Sequence, residues 1–460
     1  MQIESRFSGK NVTVVGLGIE GIDLVRYLTK QGAKVLVSDT RKEKDLAEQI
    51  QSISDCSPTL SLGGNRSEAM LSSEVIFVSQ GVDQNAQFLS AARKNGIEIS
   101  SMSKLFLQTC PVGITAITGS SGKTTTTSLL DSILTKSKIN HLMGGNIGIG
   151  LLSLLDDITS DSKVLIELSH TQLETIDISP QLSCVTNVTP NHLDRFSWNS
   201  YVDLKRRIFE FQNKEDTVIF NFDNKMCREF SNEAIGNVVY TSRKQNLNKD
   251  GVYLENQNIY ALLQQEKLPI MNIGNIPLPG VHNIENVLAA TALALQMGVS
   301  NKEINDAIMN FEGVPHRLES IAIKSEVLYV NDSIATTPER TIAGINSFTQ
   351  PIVIILGGRD KNLPLYEMSH LINQRCRSVI TFGEASELYA KSIDDINHQN
   401  PPTIDQVENV SEAVFTAQKR AQSGDVVLFS PAGTSFDAFH TFEERGFAFT
   451  NAVLQIGEAF

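Results

Sequence analysis

The stretch Gly113-Ile-Thr-Ala-Ile-Thr-Gly-Ser-Ser-Gly-Lys-Thr-Thr-Thr-Thr127 decides how the rest of the chain is read. An alternating apolar run ends in glycines, a lysine and a series of hydroxyls, and a helix pattern begins there. Glycine at 119 and 122 lets consecutive amide N–H groups converge on phosphate oxygens at the positive end of the following helix. Lys123 then reaches the β- and γ-phosphates of a nucleoside triphosphate, and Thr124 offers a hydroxyl to the Mg²⁺ that bridges them. Gly119, Ser120, Ser121, Gly122, Lys123, Thr124 and Thr125 are therefore the candidate phosphate loop. A full loop of this kind carries glycine at 117, where this chain has Ile117. The competing reading, a glycine turn that only caps a helix, leaves Gly-Lys-Thr at the strand-to-helix junction unexplained.

Upstream of the loop, Asn11 to Gly16 is a β-branched run followed by Gly16-Leu-Gly-Ile-Glu-Gly21 and a helical pattern through Leu24, Val25 and Leu28. The next apolar run, Lys34 to Ser38, ends at Asp39, where a dinucleotide fold places a ribose-binding acid. With further strands expected at Glu74–Ser79 and Gly96–Ser100, the first hundred residues read as a Rossmann-like unit. The glycines serve tight helix–strand packing as readily as a ligand. Any diphosphate suits the helix end after Gly18, with the acid, hydroxyl and guanidinium of Asp39, Thr40 and Arg41 beside it.

A chain of 460 residues is too long for one hydrophobic core, and 41% hydrophobic with 20% charged residues is ordinary for globular protein. A net charge of −13 excludes a broad nucleic-acid or anionic-membrane surface. Five scattered cysteines without ligand spacing read as reduced thiols. No secretion-signal layout opens the chain, and no apolar run approaches the ~20 residues that span a bilayer. The expected location is the cytoplasm, with no membrane insertion and no nucleic-acid partner.

Downstream, strands expected at Ser162–Glu167 and Leu182–Asn187 end in polar residues on the loop side of the sheet. Ligands gather at the carboxyl ends of such strands, so Glu167 is a candidate magnesium ligand, and His192 falls in the same loop layer. Trp198 to Phe209 reads as an amphipathic helix with Leu204, Ile208 and Phe211 on one side and Lys205 beside them, an ordinary helix cation on its own. Gly251 to Leu263 alternates like a hairpin or meander at a sheet edge. Pro279 to Ala290 places Asn283 and Asn286 on one helix face, and 311–319 reads as a linker. Beyond it, strands expected at Val327–Asn331, Pro351–Leu356, Ser378–Phe382 and Asp425–Phe429 form another nucleotide-fold-like unit, with Asp332, Gly357–Lys361 and Ser430–Asp437 at the strand tips. Arg317, Asp332 and Lys361 are expected to face the triphosphate. The expected architecture is α/β in three domains: a Rossmann-like unit at 1–104, a central P-loop-type ATPase domain with a mostly parallel sheet at 105–314, and a C-terminal Rossmann-like α/β domain at 315–460.

The series GSSGKTT, GGNIG, IELSHTQLE, NVTPNHLDRF, YVDLKRRIF, PGVHNIENVLAA, PHRLE, NDSIATTP, LGGRDK and SPAGTSFDAF resembles the Mur ligases over nearly the whole chain. Within that family, the short N-terminal domain with GLGIEG and SDTR, the missing DNPR motif and the ending SPAGTSFDAFHTFEERG are similar to the D-glutamate-adding branch. The resemblance implies an ATP-dependent ligase of peptidoglycan precursor synthesis, acting on the small molecules UDP-MurNAc-L-Ala and D-glutamate with two Mg²⁺ ions, and a monomer. It implies a catalytic set of Lys123, Glu167, His192 and Lys205. Thr124, Glu167, His192 and a CO₂-derived carbamate on Lys205 would hold metal, and Asn286, Arg317 and Asp332 would join the ATP loop. Gly18, Asp39, Thr40, Arg41, Ser79, Gly81 and Asn146 would meet the UDP-sugar and its acyl-phosphate end, and Lys361, Ser435 and Phe442 the D-glutamate. The chain departs from the family at Ile334, where relatives often carry lysine, and at His170-Thr171. A folylpolyglutamate synthase-like ligase is opposed by the N-terminal domain, and an NAD-dependent oxidoreductase leaves the Lys123 loop unexplained.

Overall fold

The computed structural model describes residues 6–146, 150–191, 196–278, 280–361 and 363–457. Three sheets organise the chain. The first has five parallel strands in the order Thr59–Leu62, Lys34–Asp39, Asn11–Val15, Val75–Val78, Glu98–Ser100. Val75-Ile-Phe-Val78 is buried at every position, as a parallel strand covered on both faces requires. Helix Ile19–Lys30 runs back so close to its strand that a Cβ on Gly21 would lie 2.0 Å from the Gly16 carbonyl oxygen. The third glycine of the GxGxxG pattern is thus required by packing whatever the ligand.

The second sheet has nine strands. Its centre is Ile114–Thr118, flanked by the parallel strands Leu182–Val185 and Lys163–Glu167, with Ile117 opposite Glu167 and Thr118 opposite Val185. The carboxyl ends of the three central strands therefore meet where helix Lys123–Lys136 begins. The expected meander is present as Gly251–Glu255, Asn258–Leu263 and Glu266–Asn272, antiparallel at the sheet edge. The helix expected over 198–209 spans Trp198–Arg206, and Phe211 lies beyond it, exposed.

One compact unit comprises Met1–Asn275 with Glu285–Met309, and a second comprises Ile276–Ile284 with Asn310–Phe460. In the first, a continuous apolar cluster runs from Val12 and Val14 through Leu105 and Phe106 to Ile114 and Ala116, so the five-stranded and nine-stranded sheets share a core. The second unit holds a six-stranded sheet in the order Glu319–Lys324, Val327–Asn331, Val426–Ala432, Ile352–Gly357, Cys376–Phe382, Thr403–Val407, parallel apart from its first strand. The segment read as a linker is tightly held at its end. Val314 bridges to Arg317, and His316 and Leu318 take left-handed backbone angles, φ 60° and 45°, on either side of Arg317. Non-glycine residues hold that conformation only where surrounding contacts impose it. All five cysteines are free thiols.

Candidate active site

The phosphate loop is pinned from two sides. Gly119 and Gly122 have φ of 154° and 81°, and a Cβ on either would collide with a neighbour, Thr186 Oγ1 at 2.0 Å and Asn286 Oδ1 at 2.3 Å. Here glycine is needed for both backbone angle and close approach. The Ser120 N–H donates to the Asn187 carbonyl at 2.9 Å, and the Ser121 N–H to Asn187 Oδ1 at 3.0 Å. Thr186 Oγ1 donates to the Ser121 carbonyl at 2.6 Å, and the Tyr201 hydroxyl to Ser120 Oγ at 3.0 Å. Lys123 Nζ folds over the loop and donates to the Gly119 carbonyl at 3.0 Å. Thr124 and Thr125 follow in the first helical turn, and the buried Asn286 lies against Gly122.

Beside the loop stand two buried ionisable groups. Glu167 Oε1 accepts from Asn146 Nδ2 at 2.9 Å, whereas Oε2 is buried without a hydrogen-bond partner. Lys205 is almost completely buried, donates from Nζ to Thr118 Oγ1 at 3.0 Å, and has Nζ 5.5 Å from the Tyr201 ring centre. Burial, reinforced by the nearby Lys123 charge and opposed by Glu167, holds the Lys205 ammonium well below its usual pKa. The structure thus brings Gly119, Lys123, Glu167, Lys205, Asn146 and Asn286 to one end of one sheet. His192 lies outside the described residues. Tyr201 and Asn187 are supports that sequence reasoning missed, although Tyr201 precedes Lys205 by one helical turn and shares its face.

Among the described residues no three His, Cys, Asp or Glu side chains converge. What this site offers a cation is an orphaned carboxylate oxygen on Glu167 and the hydroxyl of Thr124, hard oxygen donors that fit Mg²⁺.

In the five-stranded domain the candidate UDP residues surround the Gly16–Gly18 loop. Asp39 accepts from the Leu17 N–H at 2.8 Å and from the Arg41 guanidinium at 2.8 Å, so its carboxylate closes the glycine loop and aligns Arg41. Thr40 follows it at the exposed strand end. Gly18 caps helix Ile19–Lys30, Ser79 Oγ donates to the Gly16 carbonyl at 3.0 Å, and Gly81 has φ 87° in the adjoining turn. Gln80 in that turn donates from Nε2 to Glu20 at 2.9 Å and accepts from Ser169 Oγ and Thr171 Oγ1, each at 2.9 Å. The unusual Thr171 therefore has a structural partner, and the turn is fastened to the capping box that follows Glu167.

In the second unit, Lys361, Ser435 and Phe442 line a cleft of about 370 Å³ together with Thr336, Thr441 and Phe436. Lys361 Nζ donates to Thr336 Oγ1 at 3.3 Å. Phe442 begins helix Phe442–Gln455, capped by Thr441, so the helix's positive end faces the cleft. Beneath it the fully buried Arg445 donates to the carbonyls of Gly433 at 3.0 Å and Ser333 at 2.8 Å, and burial pulls its pKa down to about 10. Asp332 accepts from the Leu318 N–H at 3.2 Å and from Ser430 Oγ at 2.8 Å, and burial pushes its carboxyl up to about 6 against the pull of Ser430 and Arg317.

Comparison with known proteins adds three findings. Family models match as Mur ligase MurD-like, N-terminal domain, over residues 10–101, as Mur ligase middle domain over 117–294, and as Mur ligase, glutamate ligase domain, over 316–433. The chain is 37% identical over 458 residues to the UDP-N-acetylmuramoylalanine–D-glutamate ligase of Acetivibrio thermocellus, with 98% of each chain covered. It is 35% identical over 457 residues to the enzyme of that name from Ruminiclostridium cellulolyticum, again with 98% of each covered. Among solved structures, UDP-N-acetylmuramate-alanine ligase MurC of Thermotoga maritima shares the fold with a TM-score of 0.58 at 17% identity, covering 97% of this chain and 100% of that one. A pseudomurein peptide ligase type C from Methanothermus fervidus does so at 0.56 and 18%, with the same coverage.

Proposed function

The chain belongs to the Mur ligase family, and from that premise we propose that it is the ATP-dependent enzyme that joins D-glutamate to the alanine carboxylate of UDP-N-acetylmuramoyl-L-alanine in peptidoglycan precursor synthesis. The observation that carries the reading is the buried pair beside the phosphate loop. Glu167 has an oxygen without a hydrogen-bond partner among the described residues, and Lys205 is a buried amine whose pKa burial holds well below the usual lysine value. Relatives of that activity match over nearly the full chain.

The γ-phosphoryl group passes to the alanine carboxylate, giving an acyl phosphate and ADP. The D-glutamate amine then adds to the acyl carbon, loses its proton, and phosphate leaves. The first step brings a carboxylate toward a triphosphate, so charge must be neutralised before bonds change. Lys123 is released from the Gly119 carbonyl to the phosphates, and the N–H groups of Gly122 to Thr125 at the start of the helix hold the donor in place. Thr124, Glu167 and His192 would hold Mg²⁺, and the ion would supply positive charge against the repulsion between the two anions. Asn146 fixes Glu167 through Oε1 and leaves Oε2 unbonded among the described residues, so Oε2 is the oxygen that would serve a cation. A neutral amine is the form that adds to CO₂. Lys205 as the neutral amine would form an N–C bond to CO₂ and lose one proton, giving a carbamate anion suited to a second Mg²⁺.

Gly18, Asp39, Thr40, Arg41, Ser79 and Gly81 receive the UDP portion, with Arg41 and the helix end after Gly18 as its positive charges. Asn286 supports the ATP loop, and Arg317 and Asp332 are assigned to ATP by their match to the family motifs. Lys361, Ser435 and the backbone at Phe442 receive D-glutamate. The domains are taken as 1–104, 105–314 and 315–460. We take the protein to act as a monomer in the cytoplasm. Among the described residues no helix is long and apolar enough to cross a membrane.

The deciding experiment is phosphate release from ATP with UDP-MurNAc-L-Ala and a panel of L- and D-amino acids. Release with D-glutamate alone is expected; release with no amino acid, or equally with L-glutamate, rejects the assignment.

A further inference from the structure

We propose that Arg340 is a second cation of the amino-acid cleft, set against Lys361 across the Ile334–Thr336 loop so that the pair selects a dicarboxylic amino acid. The inference rests on the reading of that cleft as the D-glutamate site.

The geometry begins with the loop itself. Lys361 Nζ donates to Thr336 Oγ1 at 3.3 Å, and Arg340 Nη1 donates to the Ile334 carbonyl at 3.0 Å, two residues away. Two cations are thus anchored on one three-residue loop whose Thr336 lines the cleft. Neither forms an ion pair among the described residues, whereas Arg359 pairs with Glu384 and Arg420 with Asp405 in the same unit. Arg340 also stands in the first turn of helix Pro338–Ile345, where the helix dipole disfavours positive charge. The local role of Arg340 is its one bond to the Ile334 carbonyl, which leaves its charge without a carboxylate partner among the described residues.

The two charges feel one another. Lys361 sits below its usual pKa first through desolvation and next through Arg340 and Arg445, with only Glu339 opposing. Arg340 also acts on the buried Asp332. Like charges held together over a hydroxyl-lined cleft are stabilised by an anion between them, and a guanidinium supplies a fork that matches a carboxylate. One acid, Glu443, lines the cleft in the first turn of helix Phe442–Gln455, placed to attract an amine. Lys361 and Glu443 in the lining, with His440 beside them and Arg340 on the adjoining loop, are the complement of an amino acid with two carboxylates.

This predicts a discrimination between D-glutamate and D-glutamine, which differ by one charge at constant shape. Full-length enzyme, Arg340→Met and Arg340→Lys are compared by amino-acid-dependent phosphate release at saturating ATP and UDP-sugar. Arg340→Met should raise the D-glutamate KM about tenfold, about 1.4 kcal/mol, while ATP KM and D-glutamine turnover stay unchanged, so that selectivity falls by the same factor. Arg340→Lys should restore most of it. Position 340 is exposed, and an unchanged melting temperature verifies the fold. An unchanged D-glutamate to D-glutamine ratio in Arg340→Met, or an ATP KM that rises in parallel, overturns the assignment of Arg340 while leaving the ligase reading intact. Failure of the unmodified enzyme to release phosphate with D-glutamate overturns both.

Discussion

The phosphate-loop site and the amino-acid cleft solve opposite problems. Around Gly119–Thr125 every wall is fixed by backbone. Two glycines touch neighbours that leave no space for a Cβ, four hydrogen bonds come from Thr186, Asn187 and Tyr201 or their backbone, and Glu167 and Lys205 are sealed from water. The cleft near Lys361 is open, lined by hydroxyls and the exposed Phe436, and Lys361 reaches it on a long side chain. Phosphoryl transfer is sensitive to small displacements and gains from groups fixed before the reaction. Recognition of a small amino acid needs charge complementarity and access. Substitutions in the first region should therefore remove turnover, and those in the second should shift KM.

The largest effects test the rigid region. Lys123→Ala should lower phosphoryl transfer by about 10³-fold with UDP-sugar binding largely intact, measured by single-turnover ADP formation beside equilibrium binding. Retained turnover breaks the phosphate assignment. Lys205→Ala should lose a similar factor and recover in part with added formate or acetate, because a small carboxylate replaces the missing carbamate. Full activity without rescue would mean that Lys205 acts only as packing. An effect next in size comes from the cleft. Lys361→Ala removes a charged hydrogen-bond partner, a loss of about 1.5–3 kcal/mol, so the D-glutamate KM should rise at least tenfold while the ATP KM holds. A parallel fall in kcat would erase the contrast between the two regions.

The same contrast explains what was legible in the sequence. The loop could be read because its chemistry is local: glycines, lysine and hydroxyls fall in one turn, and flanking strand and helix patterns fix their direction. Glu167 followed from its place at a strand end. Lys205 did not, since its burial depends on Thr118, 87 residues away in the chain. Only resemblance lifted it above an ordinary helix cation. In the second unit Arg445 was missed for the same reason, its partners Ser333 and Gly433 being brought together by the sheet. Asp39 was legible as a strand-tip acid, but its closure of the loop through Leu17 was not. Strands such as Thr59–Leu62 and Thr403–Val407 escaped notice because they are edge strands, half exposed and poor in apolar residues.

Asp332 offers a smaller test in the second unit. Its folded pKa is raised from 3.8 to about 6 by burial, so below pH 6 the carboxylate is progressively lost. Turnover should fall about tenfold for each pH unit below that point, and Asp332→Asn should be slow with a flat profile from pH 5 to 8. Unfolding does not account for the acid limb. A raised folded pKa means that protonation favours the native state, so this group's contribution to stability is complete below 3.8 and is lost as pH rises through 6. Melting temperatures across the limb distinguish titration from unfolding.

The smallest expected effect returns to the rigid region and asks how far its rigidity extends. His141 Nε2 pairs with Asp131 at 2.9 Å and Nδ1 with the Ile139 carbonyl at 2.8 Å, joining helix Lys123–Lys136 to the strand that ends at Gly145, next to Asn146. Hydrogen bonding to Asp131 raises the His141 pKa above 6.5 despite burial. The stabilisation is therefore complete below pH 6.5 and is lost as pH rises through the higher folded value. His141→Leu should lower stability by about 1 kcal/mol at pH 6 and by much less at pH 9, measured by denaturant unfolding at both. Turnover at pH 8 should stay within twofold, because Asp131 lies about two helical turns from Lys123 and the loop is held independently by Asn187, Thr186 and Tyr201. A larger loss of turnover would show that the fixed geometry of the phosphate loop depends on the far end of its helix as well as on the contacts that surround it.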